Sequence, residues 1–199
     1  MIKTRVGLGL RLVASALLIA PCLTGQAHAA TRATAIPTLG RIPTDCPPGS
    51  PRTVLGKVYG TGSSVTGYGA FPVAGLAFDG PHATLQFSRN PQMLHLSWQP
   101  PYGWIHKMLW FMNPSHKGRV TLRGSELRGG RPVWFVLDGP GQKETRLAVL
   151  DPQHQAVVPG PRGAWPQFPG YMYVPHAGCY SIVAQWSGGQ ETIAFAAGQ

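Results

Sequence analysis

The chain has 199 residues, 43% hydrophobic and only 12% charged, with 17 Lys and Arg against 7 Asp and Glu for a formal charge of +10. That length suits one domain with a substantial core and is too short for two comfortable ones. The 26 Gly and 20 Pro are spread along the chain with no internal repeat, which excludes a low-complexity linker and indicates many turns.

Residues 1–29 have the layout of an export signal. Lys3, Arg5 and Arg11 form the positive start, an apolar run follows to Leu23, and Ala27-His-Ala29 supplies the small residues of a cleavage site. Cleavage is expected after Ala29. Two other readings stay open: a retained membrane anchor, and lipidation at Cys22, where Pro21 stands in place of a small flexible residue. Cleavage removes three of the 17 basic residues and no acidic one, which takes the formal charge from +10 to +7. A moderate positive field favours loose attraction to an anionic surface or polymer. No later stretch is long and apolar enough to cross a membrane, so no transmembrane anchor is expected after cleavage.

Residues 30–51, rich in Thr, Pro and Ala, read as an extended leader, and residues 52–199 as the folded domain. Strands are expected over 53–59, 72–78, 83–87 and 93–98, the last two separated by the turn Arg89-Asn-Pro91. In 93–98, Leu94, Leu96 and Trp98 alternate with Met93, His95 and Ser97, the pattern of a half-buried strand. Gln99-Pro-Pro-Tyr-Gly103 resets the chain. Residues 104–112 are the most apolar stretch of the domain, with both faces largely apolar, and read as a central strand. Residues 119–123 alternate with Val120 and Leu122 inward and Arg119, Thr121 and Arg123 outward. Further strands are expected over 132–137, 146–150 and 155–158, followed by a proline-rich approach through Trp165 and Phe168.

The chain closes in a hairpin, with strands over 179–186 and 191–195 around Ser187-Gly-Gly-Gln190. Tyr180, Ile182, Ala184 and Trp186 share one of its faces, and Cys179 lies on the other. No segment beyond the signal carries a helical period. About eight to ten short strands imply an all-β sandwich or barrel.

Cleavage leaves two cysteines, Cys46 and Cys179. In an oxidising compartment an even pair is most simply one disulfide, here tying the leader to the late hairpin.

The stretch Phe168-Pro-Gly-Tyr-Met-Tyr-Val-Pro-His-Ala-Gly-Cys-Tyr180 resembles a group of small exported bacterial proteins that share an immunoglobulin-like β-sandwich and a late strand opening Pro-x-x-Gly-Cys followed by Tyr or Trp. His106-Lys-Met-Leu-Trp110 and Gly118-Arg-Val-Thr-Leu-Arg-Gly124 are similar to their Lys-x-Leu-Trp strand and following hairpin. The resemblance covers about a third of the domain and implies a single immunoglobulin-like sandwich without a catalytic motif. The chain departs from antibody-type domains, because Cys46 precedes the first clear strand and Ala177 stands where a tyrosine corner needs Tyr.

Chemistry is harder to find. Asp45, Asp79, Asp138, Asp151, Glu126, Glu144 and Glu191 mostly adjoin turn residues, and no pair is nominated for glycoside hydrolysis. There is no serine-elbow pattern. A Cys179–His176 thiolate pair is disfavoured because residues three apart on an extended chain face opposite ways. The histidines lack zinc spacing, and no His or Met follows Cys179 as a blue-copper site requires; Met93 with His95 and His106 with Met108 leave a weaker copper-handling reading.

One aromatic and basic constellation remains. Trp104, His106, Lys107, His116, Lys117, Arg119 and Arg123, with Tyr102 and Trp110 nearby, offer stacking faces and cations for sugar rings or an anionic polymer. The reading is therefore an exported cell-envelope protein of the periplasm, wall or medium, acting as a non-catalytic binding or structural sandwich with an envelope partner. Its alternatives are a carbohydrate or anionic-polymer binding module, a small secreted hydrolase, and a copper-handling periplasmic protein. No catalytic residue, metal ligand or cofactor is nominated, and nucleic acid is disfavoured by the compartment and the lack of any arginine-rich motif.

Overall fold

Turn residues cut the chain into short strands, and the computed structural model, described over residues 35–54, 65–69, 73–78, 80, 83–138, 141–154 and 165–199, shows them in one curled sheet. In chain order these are β1 (Pro51–Val54), β2 (Val65–Tyr68), β3 (Val73–Leu76), β4 (Thr84–Gln86), the helix α1 (Pro91–Leu96), β5 (Trp98–Gln99), β6 (Gly103–Met112), β7 (Val120–Glu126), β8 (Pro132–Leu137), β9 (Ala148–Leu150), β10 (Gln167–Val174), β11 (Gly178–Trp186) and β12 (Gly189–Gly198). Ile36–Gln199 forms one compact unit. The expected signal, most of the strand over 53–59 and the strand over 155–158 lie outside the described residues. Among the described residues no helix is long and apolar enough to cross a membrane.

The sheet runs β1-β2-β3-β6-β10-β8-β7-β11-β12-β4, with β5 added to β6 and β9 to β7. Every pairing is antiparallel except β4 on β12. The curl is centred on β8. Its first residues, Pro132 and Val133, pair with Ser125 and Gly124 of β7, and Trp134 to Leu137 then pair with Tyr173 to Gly170 of β10. One strand thus serves two groups, β7-β11-β12 and β3-β6-β10.

Alternation places the core between them. Trp104, Met108, Trp110 and Met112 of β6, Val133, Phe135 and Leu137 of β8, Met172 and Val174 of β10, Tyr180, Ile182 and Ala184 of β11, and Ile193 and Phe195 of β12 form one buried cluster. Each large apolar side chain sealed this way contributes roughly 1.5–3 kcal/mol relative to exposure. The hairpin face that carries Tyr180, Ile182 and Ala184 is the inward one, and Trp186 packs half-buried at its end. Gly75 of β3 makes room for this packing, since a Cβ there would lie 2.8 Å from Trp110 Cζ3.

The expected disulfide is present. Cys46 and Cys179 are bonded, with Cα atoms 5.3 Å apart. It fastens a strap made from the end of the leader. Leu39 is buried, Gln199 N donates to the Gly40 carbonyl at 3.1 Å, Ile42 N donates to the Gln199 carbonyl at 3.3 Å, and Asp45 pairs with Arg128.

Besides β2, which was not expected as a strand, two elements differ from the sequence reading. Residues 93–98 were expected as a strand, but Pro91–Leu96 is helical. Asn90 caps it, its Oδ1 accepting from Gln92 N at 2.9 Å, and Pro91 supplies a φ already suited to a first turn. This local capping decides the conformation because none of the six residues is buried to enforce a strand. The second difference is β10, read as a proline-rich approach but central between β6 and β8. Pro169 is tolerated there because N and O of one strand residue point the same way. Its carbonyl accepts from Asp138 N, beyond the last ladder pair Gly170–Leu137, so its missing donor faces the end of β8.

Candidate ligand-binding face

The period of two on β6 divides the nominated residues. Trp104 points inward at 1% exposure, its ring 5.2 Å from Trp98 and 6.4 Å from Phe87, and so offers no face to a ligand. His106 is half-buried. Its Nδ1 donates to the Lys107 carbonyl at 2.9 Å and its ring meets Phe87 edge-on. Lys107 turns to the opposite, outer face and is exposed. Met108 is buried in the core, so it does not join His106 at an open surface. Met93 and His95, two apart on α1, lie on different sides of that helix. Among the described residues no group of three or more His, Cys, Asp or Glu is placed to hold a metal.

The basic residues after β6 sit at one end of the sheet. His116 lies against Trp186, ring centres 6.5 Å apart, and Lys117 Nζ donates to the Pro114 carbonyl at 2.6 Å. Arg119 Nε donates to Asp151 Oδ2 at 2.5 Å, His154 Nδ1 reaches the same oxygen at 3.1 Å, and Gln153 N donates to Oδ1 at 3.0 Å. Burial alone would raise the Asp151 pKa. The Gln153 amide, the Arg119 guanidinium and the His154 ring outweigh it and hold the carboxyl at about 2. This trio ties the β6–β7 turn to the residues following β9. Arg123 stands apart, exposed on β7 opposite Val183 of β11.

Other titratable groups are also engaged. The Cys179 sulfur is consumed by the disulfide, and His176 turns instead to Glu126, Nε2 to Oε1 at 3.2 Å, while its Nδ1 donates to the Ala177 carbonyl at 2.7 Å. Tyr180 OH donates to the His176 carbonyl at 2.7 Å. Among the described residues both cysteines are in the disulfide, which leaves no sulfur for a cysteine nucleophile.

A different set comes together on the outer face of β6-β10-β8. Tyr173 is paired with Ile105 on one side and Trp134 on the other, and Tyr171 with Lys107 and Val136. Tyr102, projecting from the turn that follows the cis Pro100–Pro101 bond, closes on both central rings, 5.1 Å from Trp134 at 63° and 5.6 Å from Tyr173 at 56°. Gly103 allows this turn, with φ of +118° and no room for a Cβ, which would lie 2.3 Å from the Val174 carbonyl oxygen. Thr145 then bridges to Phe135 and sends its two neighbours over the face. The Arg146 guanidinium lies 4.7 Å above the Trp134 ring, and Glu144 accepts from Tyr173 OH across 3.5 Å. Burial, reinforced by Glu144, pushes the Tyr173 phenol up to about 12.

The result is a patch of aromatic rings with Lys107 on one margin and Glu144 and Arg146 on the other. Tyr102, Trp134 and Tyr171 remain half-exposed, while Tyr173 is the covered base at 4%. Half-exposed rings stack on the apolar faces of sugars, and the flanking charges suit acidic substituents and hydroxyls. Of the nominated residues only Lys107 belongs to this face, together with Tyr102. Trp134, Tyr171, Tyr173, Glu144 and Arg146 were missed, although the alternation of Val133, Phe135 and Leu137 already assigns Trp134 to the opposite side. No protein-family model, curated protein or solved structure matches this chain.

Proposed function

We propose that this chain is an exported envelope protein, an immunoglobulin-like sandwich that holds an acidic polysaccharide on the outer face of β6-β10-β8 without transforming it. The observation that carries the reading is the cluster of Tyr102, Trp134 and Tyr173 crowned by Arg146 on a solvent-facing sheet, where a merely structural strand would carry small polar residues. Tyr171 and Trp134 take sugar rings, Lys107 and Arg146 take carboxylate or phosphate substituents, and Glu144 takes hydroxyls. The disulfide is compatible with an oxidising destination. The division of β8 between two strand groups is compatible with a sandwich whose corner lies at that strand.

Affinity electrophoresis of the protein through gels containing acidic or neutral polysaccharides tests it. Wild type is retarded by an acidic polymer, and Trp134→Ala and Tyr171→Ala each lose most of that retardation while retaining the fold. Equal mobility of wild type and both variants in every gel overturns the proposal.

A further inference from the structure

Shortly before Tyr102 in the sequence, α1 leaves Met93 and Leu96 in solvent, while Leu94 packs half-buried against the core. Met93 is 55% and Leu96 67% exposed, and no residue of the helix is buried. A depression of about 470 Å³ lined by Pro91, Gln92, His95 and Leu96 lies along it. Just before the capping Asn90, Arg89 lines a second depression of about 540 Å³ together with Arg41 of the strap and Gln199. Among the described residues neither Arg41 nor Arg89 is in an ion pair with a carboxylate. Two guanidiniums outside any ion pair among the described residues therefore adjoin the exposed side of α1, on a chain of formal charge +10.

We infer that α1 with Arg41 and Arg89 docks reversibly on an anionic lipid bilayer, Met93 and Leu96 entering the headgroup layer and the two arginines engaging lipid phosphates. Size favours a bilayer over a protein partner. Six helical residues span about 9 Å, whereas a stable protein interface takes roughly 800 Å² from each side. Shallow insertion needs only a few apolar side chains beside cations, and two arginines suit an anionic surface. The backbone is suited to it as well, because Asn90 and Ser97 cap both ends of α1 and hold the helix in shape without a partner. This docking is independent of the polysaccharide face.

Hydrogen–deuterium exchange of the full chain reads the docking locally. The expected result is about threefold or greater slowing in peptides covering residues 88–97 when vesicles of roughly one-third phosphatidylglycerol in phosphatidylcholine are added, with little slowing on phosphatidylcholine alone. Leu96→Ser and Arg89→Gln, both at exposed positions, each abolish most of the slowing. Three results overturn the inference: no slowing in these peptides with anionic vesicles, equal slowing with inorganic phosphate alone, or equal slowing on raising protein concentration without lipid. The last marks a contact between copies of the chain.

Discussion

Arg146 holds its guanidinium 4.7 Å above the Trp134 ring, and it is kept there because Thr145 exchanges two backbone hydrogen bonds of 2.8 Å with Phe135. The cation is thus part of the aromatic surface. Arg146→Ala is expected to weaken retention by acidic polysaccharides about two- to fivefold, the scale of an exposed cation–π contact and one surface charge, and to leave retention by neutral ones nearly unchanged. Equal loss on both polymers would assign Arg146 a packing role only.

The bond between Cys46 and Cys179 spans 133 positions. By loop-closure entropy, replacing both with Ser costs about 5 kcal/mol, which for a domain of this size lowers Tm by roughly 10–20 °C. Calorimetry of the double variant measures it. An unchanged Tm would mean that Leu39 and the pairing of Gly40 and Ile42 with Gln199 hold the strap unaided.

Asp151 gives a pH signature. Its pKa is lowered from 3.8 to about 2, so the native state binds this proton less readily than the unfolded chain. The stabilisation is complete above pH 3.8 and is lost as pH falls through about 2. Denaturant midpoints recorded from pH 5 to pH 2 are expected to fall more steeply for wild type than for Asp151→Asn. Parallel curves would contradict the assignment.

Gly75 faces Trp110 so closely that Gly75→Ala puts a methyl 2.8 Å from Cζ3. Overpacking of this kind costs about 1–3 kcal/mol. Chemical denaturation provides the number, and a cost near zero would mean that β3 shifts freely against β6.

Tyr173 titrates late, pushed up to about 12 by burial and by Glu144. Burial also pushes Tyr180 upward. For a raised pKa, stability is complete below the unfolded value near 10 and lost as pH rises through the folded one. Absorbance titration of phenolate is expected to lose a component near pH 12 in Tyr173→Phe, and an unchanged curve would place Tyr173 in water.

Much of the strand pattern was legible because alternation and turn residues are local. The hairpin face of Tyr180, Ile182 and Ala184 and the central β6 follow from it, whereas the cysteine pair follows from an even count in an oxidising compartment. The helix at Pro91 was lost because alternation over six residues outweighed a cap that spans only Asn90 and Pro91. β10 was lost because Pro169 reads as a strand breaker until the extent of β8 is known. The outer aromatic face was lost for a related reason. Tyr102, Trp134 and Tyr173 are far apart in the chain and meet only through the register of β6, β10 and β8, whereas Trp104 and Lys107, neighbours in sequence, are separated by the sheet itself.

The shared strand β8 also bears on how the molecule comes apart. With Val133 laddered to Gly124 and Met172 laddered to Phe135, melting either strand group leaves β8 with an open edge and bares Val133 and Phe135 together. Neither group has a complete set of backbone partners alone. The two groups are therefore thermodynamically one cooperative unit, with a single calorimetric transition in place of two.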